Sequence, residues 1–93
     1  SNPSLIGSFD TGAYAWGLQV VDSLAYVANA WAGLQIIDVS NPANPSLRSV
    51  YNTPGYAHRV QVEGSLAYVA DAGGGLQILR VVAYRVFLPL TMR

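Results

Sequence analysis

The chain has 93 residues, of which 52% are apolar and 11% charged, and five acidic side chains balance five basic ones. With no basic field to gather phosphates, nucleic acid and anionic membranes are poor partners, and no apolar run reaches the roughly eighteen residues of a membrane-spanning helix. Cysteine is absent, which removes disulfides, thiolate catalysis and thiolate metal ligands.

Taken in chain order, the segments favour strands. Residues 3–10 read as an outer strand. Four more follow at about 15–21, 24–29, 33–39 and 46–52, filling a whole unit over 14–52. Residues 56–82 hold three further strands, and 83–93 form a C-terminal strand or tail. In each strand Val, Ile, Leu and Tyr run together between turn formers. Helical spacing never persists, because Gly or Pro interrupts every candidate window. Asp22-Ser23 and Gly64-Ser65 suit tight hairpin turns. Ala30-Trp31-Ala32 and Ala72-Gly73-Gly74 suit looser ones, and the two prolines of SNPANPS (40–46) mark the exit to an edge strand.

The phrase SLAYVA stands at 23–28 and again at 65–70. Sliding the chain by 42 places aligns 2–40 with 44–82 without a gap, and 21 of the 39 pairs are identical. Such a period marks a structural repeat. LAYVA and LQII carry apolar residues on both faces of a strand, so each sheet must be covered on both sides. Four-stranded antiparallel sheets of this period, stacked around an axis, are β-propeller blades. The expected fold is therefore all-β, with two 42-residue blade repeats over 1–82. Two blades cannot close a ring of about four or more. The chain is expected to be a fragment of a larger propeller or to self-associate, as a homo-oligomer or with further blades. Any export signal is expected to lie upstream of Ser1 or to have been removed.

At GLQIIDVSNP (33–42), preceded by SLAYVANA and by TGAYA at 11–15, the sequence resembles the LVIVD repeat family of bacterial and archaeal β-propellers. The second copy shows TPGYA at 53–57, then EGSLAYVADAGGGLQIL. The resemblance implies a propeller fold and a place outside the cell or at its surface, and it brings no catalytic residues. Two features depart from the family pattern: Arg80 replaces the acidic residue found at Asp38, and the SNPANP turn does not return. The ending AYRVFLPLTMR resembles that of some secreted bacterial proteins and equally suits a last strand stopped by Pro89.

His58 and Arg59 sit just after TPGYA, where the chain enters an innermost strand at the channel mouth, and Trp16 holds the equivalent place in the first copy. These three are candidate ligand-binding residues, since such a pair could meet an anion or carboxylate. Trp16 and Trp31 also raise stacking on a sugar. Tyr14, Tyr26, Tyr56 and Tyr68 recur at the repeat spacing and are expected to fill the layer between blades. Leu34, Ile36, Leu76 and Ile78 are expected in the repeat core. With a single histidine and no G-x-S-x-G, neither a Ser-His-Asp triad nor a His-rich metal site is indicated. The aspartates lack the spacing of a calcium loop. The expectation is a non-catalytic scaffold that binds protein, without cofactor or metal; the competing expectation is a propeller that takes a small ligand or glycan, or hosts an enzyme site, at the channel mouth.

Overall fold

The computed structural model describes residues 3–81. Seven strands follow in order: β1 (Gly17–Val21), β2 (Leu24–Ala28), β3 (Leu34–Asp38), β4 (Ser46–Tyr51), β5 (Tyr56–Glu63), β6 (Leu66–Ala72) and β7 (Gly75–Arg80). They make two antiparallel sheets, β1-β2-β3-β4 and β5-β6-β7. Among the described residues there is no helix, and so none long and apolar enough to cross a membrane.

Local chemistry sets the hairpins. Asp22 and Ser23 both adopt left-handed backbone (φ 51° and 68°), the conformation that a two-residue turn between twisted strands requires. After β3, the Asp38 carboxylate accepts hydrogen bonds from the Ser40 amide (2.9 Å) and hydroxyl (2.7 Å). Arg48 reaches back to it across 3.1 Å. The Ser40 bonds are the larger cause, and Arg48 the smaller, of a carboxyl pKa below the usual aspartate value. A register shift at Ile36/Ile37 opposes Ser49 and Leu47, which leaves Arg48 as the bulged residue.

The register assigns each sheet two faces. In the first sheet Tyr26 opposes Ile36 and Ala28 opposes Leu34, so these four share a front face with Leu24. Leu18, Val20, Ala25, Val27 and Ile37 share the back. In the second sheet Leu66, Tyr68, Ala70, Leu76 and Ile78 form the front, while Val60, Val62, Ala67, Val69 and Leu79 form the back. The main core joins the front of the first sheet to the back of the second: Tyr26, Ala28 and Leu34 meet Ala57, Val62, Ala67 and Val69. Ala28, Ala57 and Ala67 are each 0% exposed. Their small side chains let the layers approach. The sheets therefore stack front to back, in the manner of propeller blades.

Two polar contacts fix the register of that stack. Ala30 and Ala57 exchange backbone hydrogen bonds of 3.0 and 2.9 Å. The Gln19 amide accepts from the Val62 N–H (2.6 Å) and donates to the Val62 carbonyl (3.4 Å).

Several placements differ from the sequence expectation. Residues 3–10 form no strand: they run without a ladder, and Phe9 packs on the first sheet's back beside Ala25, Val27 and Ile37. The outer side of β3, the place their repeat spacing would suggest in this sheet, is already taken by β4, and they pair with neither of the sheet's edges. Leu76 (63%) and Ile78 (55%) are exposed, although their repeat equivalents face the seam and Leu34 there is only 1% exposed. Nothing among the described residues lies over the second sheet's front. For the same reason Tyr68 is only half-buried where Tyr26 is buried. Tyr14 and Tyr56 are exposed at the loop end, outside the layer between sheets. Residues 83–93, expected as a strand or tail, lie outside the described residues.

The contrast between identical residues is measurable. Leu34→Ala is expected to cost about 2–5 kcal/mol by urea denaturation, as for a buried leucine, while Leu76→Ala should cost less than about 1 kcal/mol.

Candidate functional site

The links that enter each sheet and the second hairpins lie at one end of the stack, and the aromatic residues collect there. Trp16 directly precedes β1, and its N–H donates to the Ala28 carbonyl at 2.8 Å. Trp31 stands in the β2–β3 loop, which turns through left-handed backbone at Ala30 (φ 47°) and Gly33 (φ 78°). Gly33 is required twice over, since a Cβ there would also overlap the Tyr51 carbonyl. Tyr56 opens β5. His58 sits at the β5 register shift between Ala57 and Arg59, an irregularity of the kind that re-aims a side chain.

These positions bring five rings into one edge-to-face series across the seam. Trp16 contacts His58 at 5.6 Å and Tyr14 at 6.3 Å between centroids. Tyr14 contacts Trp31 at 5.1 Å, and Trp31 contacts Tyr56 at 6.2 Å. Edge-to-face pairs of this kind contribute about 0.5–1.5 kcal/mol each beyond area burial. The series is nevertheless half open to solvent, with Trp16 at 58% and Trp31 at 53% exposure. Arg59 is exposed, and its pairing with Ala70 puts it on the second sheet's front, the face away from the seam. Of the candidate residues, Trp16 and His58 are in ring contact, and Arg59 is their neighbour in sequence. Trp31, Tyr14 and Tyr56 join them. Of the four recurring tyrosines expected between blades, Tyr26 packs in the seam, whereas Tyr14 and Tyr56 join the rings at the loop end.

Beneath the rings, polar side chains tether the entering links. Asn29 and Gln35 both donate to the Thr11 carbonyl, at 2.7 and 3.0 Å. In the second repeat Asp71 replaces Asn29 and accepts from the Gly55 N–H at 2.7 Å. The exchange of amide for carboxylate follows the partner: a carbonyl needs a donor, an amide N–H an acceptor. Both side chains are buried. No group of three or more His, Asp or Glu side chains that could hold a metal occurs among the described residues.

Small antiparallel sheets stacked front to back at a 42-residue period define a β-propeller-type repeat protein. The LVIVD repeat matches residues 12–53 and again 54–81, and the chain belongs to that family. Comparison with curated proteins gives no significant match, nor does comparison with solved structures.

The tether chemistry gives a direct test. Asn29→Asp would set a buried carboxylate against the Thr11 carbonyl, raising its pKa relative to the unfolded chain. The cost, about 1–3 kcal/mol at neutral pH, should disappear as the pH falls below the ordinary aspartate range, because protonation restores a donor. Stability of this variant followed from pH 7 to 3 measures the effect.

Proposed function

We propose that this chain is a non-catalytic repeat scaffold that binds a protein surface, outside the cell or on its envelope. The carrying observation is the second sheet's front: Leu66, Tyr68, Ala70, Leu76 and Ile78 repeat the residues that the first sheet buries, yet Leu76 and Ile78 are 63% and 55% exposed. A contiguous apolar face of that kind favours association over solvation. The side chains nearest to chemistry support a binding role. The ring neighbour of His58 is Trp16. Among the described residues no serine or carboxylate is hydrogen-bonded to His58, as a relay to a nucleophile would need. The location rests on the family resemblance. A photoreactive phenylalanine in place of Ile78, in chain incubated with the envelope and culture supernatant of its source, should crosslink to a polypeptide identifiable by mass spectrometry. Recovery of uncrosslinked chain alone would refute the reading.

The aromatic end supports a second reading, a small planar ligand or glycan at the channel mouth. Half-exposed Trp16 and Trp31 offer stacking faces, with the His58 ring 5.6 Å from Trp16. On this reading an oligosaccharide panel shifts tryptophan emission saturably in the native chain, and Trp31→Ala lowers the affinity at least about tenfold. A panel without any saturable response counts against it.

A further inference from the structure

The seam between the two sheets is held by residues that both repeats share. Its front-side members are Gln19 and Ala30, and its back-side members are Ala57 and Val62. Moved by one repeat, the front-side pair becomes Gln61 and Ala72 on the second sheet, and the back-side pair becomes Ala15 and Val20 on the first. All four identities are kept. Gln61 is exposed, and its side chain has no hydrogen-bond partner among the described residues. Val20 is 55% exposed and Leu18 64%, whereas Val62, the equivalent of Val20, is buried in the seam. The chain thus carries both halves of a joint it has already made once, one half on each outer face.

An edge and a segment complete the match. The outer side of β7 pairs with no strand among the described residues. Between β4 and β7 lies a cleft of about 390 Å³, lined among others by Tyr26, Ile36, Tyr51, Ile78 and Leu79. Residues 4–9 align with β4 across the 42-residue repeat, and β3, the partner of β4, aligns with β7. The register of β3 on β4 therefore transfers: Leu76 would oppose Phe9, Ile78 Gly7, Leu79 Leu5 and Arg80 Ser4. The two cannot meet within one chain, because Phe9 lies on the first sheet's back and the second sheet covers its front.

We infer that the front of the second sheet docks on the back of the first sheet of a second copy of this chain, whose residues 4–9 enter beside β7 as the missing fourth strand. This rests on the scaffold reading and names its partner. The joint is heterologous, so it propagates until a ring closes. With two sheets per copy and four to eight blades in propellers, two to four copies close it. Two front-side positions depart from the first joint: Glu63 replaces Val21, which packs against the first seam, and Arg59 stands where Gly17 lets the His58 carbonyl approach to within 2.8 Å of an added Cβ. The new joint accordingly stands wider at the loop end, and its contact is carried by Gln61 and the strand-bearing outer half.

Sedimentation and native mass spectrometry of the full 93-residue chain at micromolar concentration should give a discrete species of two to four copies of the 9.9 kDa chain. Because the chain has no cysteine, Leu76→Cys in one chain and Phe9→Cys in another should form a mixed disulfide under mild oxidation, at least about tenfold faster than Leu76→Cys with Ser49→Cys. Ile78→Asp and Val20→Asp, both at exposed positions, should each abolish the ring while leaving the circular dichroism of the single chain unchanged. Mixed one to one, they should form a dimer and nothing larger. A monomer at every concentration overturns the inference. So does a Leu76→Cys/Phe87→Cys double variant that closes its disulfide within one chain, which would put the chain's own C-terminal segment in the cleft. If the crosslink at Ile78 instead captures a different polypeptide while the chain alone is monomeric, self-docking fails and the scaffold reading stands; if it captures none, both fail.

Discussion

Each sheet is apolar on both faces, and that constraint governs everything else in the chain. A sheet with one wet side can stand against a single partner layer; one made of LAYVA and LQII strands cannot. Burying a Leu or Val side chain contributes about 1.5–3 kcal/mol, and the seam gathers Leu34, Tyr26, Val62 and Val69 in one layer. Alanines at the closest approach, each fully buried, let the two sheets come together. Gln19 and the Ala30–Ala57 bridge then select one register from the several that greasy surfaces alone would permit.

The seam is built mostly from residues the repeats share, and several loop-end side chains differ between them. Trp16 against His58, Trp31 against Gly73 and Asn29 against Asp71 are all unequal pairs, and all lie at the end where the rings gather. An identical pair of loops would present the same surface twice. The differences let two neighbouring units make one composite surface, with Trp16 and Trp31 from one and Tyr56 and His58 from the next. Sheet stacking and the loop-end surface thus draw on different parts of the 42-residue unit.

The fold was legible because duplication amplifies a weak signal. A single LAYVA is ambiguous between strand and buried helix, but its return at the spacing of four short strands is not. Strand limits came within about two residues, since turns at Asp22-Ser23 and SNPANPS announce themselves chemically. What the sequence could not reveal was which copy of a repeated residue is covered. Leu34 and Leu76 are the same letter in the same local phrase, and only the stacking order buries one and bares the other. The strand expected over 3–10 failed for a related reason: extended propensity makes a ladder only where the matching edge is within reach, and β7, the repeat equivalent of β3, lies across the seam from the back on which Phe9 packs. Gln19 was overlooked, although a glutamine kept in both copies of an otherwise apolar strand was a readable sign of a polar duty.

The two outer edges are not built alike. β4 is preceded by Pro45, broken by a bulge and carries Arg48 in an ion pair, the devices by which natural sheets keep strangers from adding on. Along β7 there is neither proline nor bulge, and its last residue supplies the one charge. Among the described residues nothing caps that lip beside exposed Leu76 and Ile78, and a bare edge of this kind is a template on which further strands add, the route to β-rich aggregate.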